Sequence, residues 1–163
     1  MRAEEVTKTA LFLIGPPGSG KSTWAQPYID RGWAHISTDQ WVERVARDQK
    51  KTYGEVFQAE IKNAERDMQA RLDAAIQDGR NIVWDQTNMS RKGRRAKIDK
   101  LISAGYTVDA HVFMPPSQEL NRRQMKRAVE TGKAIPQRVI DMMMDNYEAP
   151  IEAEGFASIT NHA

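Results

Sequence analysis

The chain has 163 residues, 40% of them hydrophobic and 28% charged, with a net charge of +2. That is the size and composition of one globular domain able to bury a core, and it excludes a disordered chain. No apolar run approaches the ~18 residues of a membrane span, and the stretch MRAEEVTK is too acidic and too poor in apolar residues for a secretory leader. The chain has no cysteine, which excludes disulfides, thiolate metal sites and cysteine nucleophiles and suits a reducing cytoplasm.

In chain order, the apolar run at 10–14 (ALFLI) predicts a strand buried on both faces. A helix is expected from residue 22 to about 30, closed near Gly32, and a short strand at 33–37 (WAHIS). Val56, Phe57, Ile61, Ala64, Met68, Leu72 and Ala75 recur at three- and four-residue steps, which predicts a long amphipathic helix over 56–76 closed by Gly79. A third strand follows at 81–84 (NIVW), then a polar helix over about 90–104 ended by Gly105, and a fourth strand at 106–114 before Pro115 and Pro116. Helices over about 117–130 and 136–147 flank TGKAIP, and no repeat or long linker divides residues 1–163, so one domain is expected. Strands alternating with helices imply an α/β fold of three layers, a parallel sheet of four to five strands covered on both faces. Ligands in such sheets bind where the strands end at their carboxyl sides, so the segments after each strand carry the functional argument.

After the first strand comes GPPGSGKS. Gly15, Gly18 and Gly20 with Lys21 and Ser22 satisfy G-x-x-x-x-G-K-[ST] between a strand and a helix, the setting of a phosphate-binding loop. Glycines there let backbone N–H groups converge on an anion at a helix N-terminus. Lys21 is expected at the β- and γ-phosphates of a nucleotide and the Ser22 hydroxyl on Mg²⁺, with Ser19 and Thr23 beside them. The motif leaves the acceptor open, since GTPases, ATPases and many kinases share it.

Asp39 follows the second strand, where a carboxylate faces the γ-phosphate and is able to take the proton of an attacking hydroxyl. The other reading is a helix cap, with Ser37 and Gln40 spaced as a capping box. Trp41 is either a base-stacking residue or a core residue. Asp85 follows the third strand, where such proteins keep a second acid near Mg²⁺, and Thr87, Asn88, Arg91, Lys92, Arg94 and Arg95 come after it. Residues 86–138 hold twelve basic and four acidic groups, an excess that a polyanionic partner would explain, whereas 139–163 hold five acidic and no basic groups. Arg122, Arg123, Lys126 and Arg127 lie on the helix before TGKAIP, with Arg123 and Arg127 on one face. A mobile basic segment at 122–136 is suited to close as a lid over a triphosphate.

These five elements, in this order, resemble the kinase domain of the polynucleotide kinases, both the phage-type 5′-kinases and the kinase half of the animal end-repair enzyme. GPPGSGKSTW resembles their phosphate loop, STDQW their general-base segment, WDQTN their D-(x)-T-N element, KRAVETGKAIP their lid and YEAPIEAEGF the end of the animal domain. The resemblance covers about 10–159. It implies an ATP- and Mg²⁺-dependent kinase acting on nucleic acid, DNA in preference to RNA, with Asp39 as base, Lys21 and Ser22 on phosphate and metal, and Asp39 or Asp85 reaching the metal through water. It also implies Arg127 as phosphate clamp, with Arg123 beside it, and acceptor contacts from Asp85, Thr87, Asn88 and Arg91. Phage-type enzymes have an arginine three residues after the base, where this chain has Val42; Arg44 is the candidate substitute. Stand-alone phage kinases similar to this family phosphorylate 5-hydroxymethyluracil within DNA, and some nuclear RNA-associated proteins carry a similar domain with a D-Q-T-N stretch. The expected acceptor is therefore a 5′-hydroxyl or a hydroxymethyl on a base. The alternatives are a small-molecule kinase (nucleoside, sugar or antibiotic) and a nucleotide-dependent binding module without catalysis.

His35, His111 and His162 have no ligand spacing and read as isolated structural residues. Met142, Met143 and Met144 read as fillers of core gaps, and Glu152 and Glu154 as an acidic tail packing on the basic face.

Overall fold

The computed structural model describes residues 7–162. Strand β1 (Lys8–Ile14) leads through the glycine-rich loop to α1 (Lys21–Asp30), followed by β2 (Ala34–Ile36), α2 (Asp39–Gln49), α3 (Tyr53–Gln77) and β3 (Ile82–Asp85). Then come α4 (Arg91–Ser103), β4 (Tyr106–Phe113), α5 (Ser117–Thr131), α6 (Gln137–Asp145), a 3₁₀ turn at Glu152–Glu154 and β5 (Ser158–His162). The strands form one sheet in the order β2-β3-β1-β4-β5, and every pairing is parallel. The expected α/β architecture is present, with a fifth strand that periodicity did not reveal. β5 lies at the sheet edge with mostly exposed side chains, so SITNH has no apolar run to mark it.

β1 is buried because it lies mid-sheet with both faces covered. Ala10, Phe12 and Ile14 pack with Met68 and Leu72 of α3, Ile98 and Leu101 of α4 and Phe156. Leu11 and Leu13 face the other way, onto Ala25 and Trp24 of α1 with Val83 and Phe113. The chain passes from β1 to β2 and back to β3 on one side of β1, then crosses to β4 on the other, so the end of β1 lies at the switch point of the sheet.

Residues 39–77 form two helices rather than one long one. Lys50 adopts a left-handed conformation at the end of α2 (φ 54°), and Thr52 restarts the chain as the N-cap of α3. A capping box joins Thr52 and Glu55, whose backbone N–H groups each donate to the other's side chain. The box expected at Ser37 and Gln40 does not form. Ser37 Oγ instead accepts from the Asp39 N–H at 3.1 Å, and Gln40 turns to His35. Val42 and Ala46 of α2 pack on Val56 and Ala64 of α3 as a separate apolar cluster.

The polar helix α4 hides one fully buried cation, Arg94. Its guanidinium donates to both carboxylate oxygens of Glu154, at 2.9 and 3.1 Å, and to the backbone carbonyls of Asn88, Met89 and Glu148. Glu154 thus packs on the basic region as expected, through this one arginine. Removing one partner of a buried, hydrogen-bonded pair strands the other charge. Glu154→Ala is expected to destabilise the fold by about 3–5 kcal/mol, read as a lowered urea midpoint with the far-UV spectrum kept below the transition.

Candidate active site

The phosphate loop wraps the end of β1 tightly. A Cβ at Gly15 would collide with the carbonyl oxygen of Phe113 on β4, so only glycine allows this approach. The Gly15 N–H donates to the Thr87 carbonyl at 3.0 Å, which ties the loop to the segment after β3. Gly20, left-handed at φ 96°, is the N-cap of α1. Lys21 opens that helix with its ammonium curled back onto the carbonyls of Gly15 and Pro16, at 2.6 and 3.1 Å. Burial lowers its pKa to about 8, against the opposing pull of Asp85 and Asp39. The buried Ser19 hydroxyl has no partner among the described residues. The loop therefore fits a nucleotide phosphate: an N-terminal helix end, a lysine and a buried hydroxyl without a bond of its own.

A hydrogen-bonded chain links the start of α1, the end of β3, the middle of β2 and the start of α2. Ser22 Oγ donates to Asp85 Oδ2 at 2.7 Å, and His35 Nε2 lies 2.9 Å from the same oxygen. Gln40 Nε2 approaches His35 Nδ1 at 2.7 Å, an orientation that makes Nδ1 the acceptor and Nε2–H the donor to Asp85. Burial raises the Asp85 pKa, but the His35 hydrogen bond, the Lys21 charge and the Ser22 hydrogen bond outweigh it and hold the carboxyl below its usual range. Asp85 and Ser22 are thus joined by a hydrogen bond beside the phosphate loop. His35, read as an isolated residue, orients this pair.

Asp39 is the first residue of α2, and its side chain does not cap the helix. Its Oδ1 accepts from the Tyr53 hydroxyl at 2.6 Å, and its Oδ2 lies 3.8 Å from the Lys133 ammonium. Burial and the Asp39 charge raise the Tyr53 pKa far above the phenol range, so the hydroxyl remains a donor. Lys133 is buried, ion-paired with Glu43, and stacked over the Tyr53 ring at 4.7 Å. Tyr53, Glu43 and Lys133 were not among the expected site residues. Glu43 lies one helical turn after Asp39 on α2, whereas Tyr53 and Lys133 come from two other segments that only the fold brings to Asp39.

The position of the absent arginine has a structural explanation. Val42 is fully buried between α2 and α3, where a guanidinium would have no partner. Arg44 points to the surface and stacks on Trp41, its guanidinium carbon 4.7 Å from the ring centroid. Trp41 is half-buried and donates to Glu60 at 3.0 Å.

The remaining candidates divide between loop contacts and internal bonds. Arg123 reaches over the phosphate loop, 3.6 Å from where a Cβ of Gly20 would stand, and is ion-paired with Glu119. Gln124, an unexpected neighbour, donates to the Pro17 carbonyl, and its own oxygen is buried without a partner among the described residues. Arg127 is close enough to oppose the charge on Lys21. Asn88, left-handed at φ 50°, donates to the Leu13 carbonyl and accepts from Lys97. Arg91 donates twice to the Ala149 carbonyl. Thr87 meets the loop through its backbone.

Two other expectations are corrected. His111 and His162 are neighbours, with ring nitrogens 2.9 Å apart beside Trp24, because β4 and β5 pair in register. Met142 is largely exposed on α6, and it is Ile140 that is buried there.

Residues 11–150 match the family model AAA_33, an AAA domain. The chain belongs to that family. Among solved structures this AAA domain is similar to a kinase-fold protein of Chloroflexus aurantiacus, with a TM-score of 0.73 at 14% identity over 97% of this chain and 86% of that one. It is also similar to a chain of the Pnkp1/Rnl/Hen1 RNA repair complex, with a TM-score of 0.67 at 26% identity over 89% of this chain and 46% of that one. A sugar kinase from Janibacter sp. aligns with a TM-score of 0.60 at 19% identity, over 94% and 85% of the two chains. The fold is that of P-loop kinases. Curated relatives include Arabidopsis thaliana transcription factor bHLH140, 25% identical over 98% of this chain and 16% of that protein. Human heterogeneous nuclear ribonucleoprotein U-like protein 2 is 21% identical over 92% of this chain and 21% of its own length. The chain thus spans about a fifth or less of these relatives. Among the described residues no helix is long and apolar enough to cross a membrane.

The buried Lys21 gives this AAA domain a measurable pH signature. Its folded pKa of about 8 lies below the ordinary 10.5, so between those values the unfolded chain binds more protons and stability rises with pH. Relative to Lys21→Met, the wild-type protein is expected to gain stability as pH is raised from 8 to 10, measured as the difference between their urea midpoints. Lys97, also lowered to about 8 by burial, is common to both proteins and cancels.

Proposed function

We propose that this domain is an ATP-dependent kinase that transfers the γ-phosphoryl group to a hydroxyl on a nucleic acid, DNA in preference to RNA. The acceptor is a 5′-hydroxyl or the hydroxymethyl of a modified base. The observation that carries this reading is the Asp39 carboxylate, held by Tyr53 and Lys133 at the strand end next to the phosphate loop. A carboxylate bound by a neutral phenol and one ammonium keeps a lone pair for an incoming hydroxyl. In the proposed step Asp39 takes the proton of the acceptor hydroxyl as its oxygen bonds to the γ-phosphorus. The bond to the β–γ bridging oxygen breaks, and ADP leaves with that electron pair.

The loop N–H groups, Lys21, Ser19 and Thr23 hold the donor phosphates in this reading. Ser22, oriented by Asp85 and His35, would hold Mg²⁺, which supplies neutralisation of the phosphate oxygens. Arg123 and Arg127 lie on the segment 122–136, which acts as the lid. The Pnkp1/Rnl/Hen1 neighbour and the ribonucleoprotein relatives, by their names, support a nucleic-acid acceptor. The sugar-kinase neighbour supports a second reading, a small-molecule acceptor at the same Asp39.

The test is transfer from γ-labelled ATP to 5′-hydroxyl DNA and RNA, to 5′-blocked duplex with and without 5-hydroxymethyluracil, and to nucleosides and sugars. Label on a polynucleotide is expected. Asp39→Asn is expected to lower kcat by about 10²–10⁴-fold while ATP binding, followed by a fluorescent analogue, persists. Label confined to small molecules would replace the proposal with the second reading.

A further inference from the structure

A cavity of about 360 Å³ opens between α2, the start of α3 and the end of α5. Arg47 and Lys51 line it from the α2 side, Arg127 from α5 and Lys133 from the following turn, together with Glu43 and the Tyr53 ring. Tyr53 and Lys133 are also the two groups that hold Asp39, so the cavity adjoins the candidate base.

Four cations face one carboxylate in this wall, and Glu43 is already taken by Lys133. Among the described residues, the charged ends of Arg47, Lys51 and Arg127 have no acidic or carbonyl partner. Several basic groups elsewhere are ion-paired, Arg94 with Glu154, Lys100 with Asp73, and Arg122 and Arg123 with Glu119, whereas exposed ones such as Lys62, Lys92 and Arg95 are spread over open surface rather than gathered around a cavity. Unpaired positive charge around a concave space is unfavourable until an anion enters, and guanidinium forks match phosphate oxygens. A neutral sugar or nucleoside leaves that charge uncompensated.

We propose that this cavity binds a phosphate group carried by the acceptor, held by Arg47, Lys51 and Lys133, with the Tyr53 ring as the wall for the adjoining sugar or base. Lys133 belongs to both sites. The acceptor phosphate gives its ammonium a partner besides Glu43 and Asp39, which couples acceptor binding to release of the carboxylate. The inference rests on the proposed function for the role of Asp39.

The experiment uses the full chain and a short acceptor oligonucleotide in which uncharged methylphosphonate linkages replace phosphodiesters one at a time. One linkage is expected to raise KM about tenfold or more, the scale of one lost charge-assisted contact. Arg47→Ala and Lys51→Ala, both at exposed positions, are expected to act on KM rather than kcat and to erase sensitivity to that linkage. Each is also expected to make the slope of log affinity against log salt shallower by about one, in fluorescence anisotropy without ATP. A flat methylphosphonate scan with the oligonucleotide still labelled overturns the inference and leaves the proposed function standing. If only small molecules are labelled, the proposed function fails. The cavity is then tested by a phosphorylated acceptor against its dephosphorylated form, and equal kcat/KM for the two overturns it.

Discussion

One guanidinium, wholly out of water, holds the site together. Arg94 joins two stretches far apart in sequence: the turn at 88–89, and the segment that holds the carbonyl at 148 and the carboxylate at 154. The turn it fixes carries Thr87, whose carbonyl receives the Gly15 N–H, and Asn88, whose amide donates to the Leu13 carbonyl. The root of the phosphate loop is therefore anchored to a buried ion pair two bonds away. Such a pair is costly to desolvate and costlier to break, which suits a part of the fold that must not drift. Preorganised donors stabilise developing charge only while they stay in place.

The sequence made the donor half legible because its chemistry is local. Eight consecutive residues specify the loop, and Asp39 and Asp85 stand out as candidates by their position just after strands. The acceptor half was opaque for a different reason. Tyr53 lies fourteen residues from Asp39, and Lys133 reaches it from the other end of the chain, so no spacing rule connects them. Gln124 meets Pro17 across 107 positions by the same logic. The Thr52–Glu55 box was visible as a T-x-x-E pattern, but it lies ahead of the apolar repeat that begins at Val56. Arg94 counts among the basic residues after Asp85, but its structural role is not legible there because a lone buried cation looks like its solvated neighbours in a polar helix.

The excess of positive charge in residues 86–138 turns out to have several uses. Arg94 is structural, Arg91 serves a backbone carbonyl, and Lys97 is drawn inward to Gln86 and Asn88. Arg123 and Arg127 lie at the loop and its margin. The unpaired cations lining the cavity come only partly from that region, since Arg47 and Lys51 belong to a stretch with a net negative charge. Segment totals therefore add paired and unpaired groups together, and only the three-dimensional pairing pattern separates them.

The two halves of the site also rest on different cores. The phosphate loop grows from the sheet, whereas Val42, Ala46, Val56 and Ala64 form a cluster of their own under Asp39 and Tyr53. Substitutions on the outer face of α2 are thereby insulated from the packing that positions the nucleotide end. Selection can then rewrite what the domain accepts, residue by residue, while the machinery for the donor stays fixed. A lineage built on this scaffold can diversify in acceptor without re-evolving its chemistry.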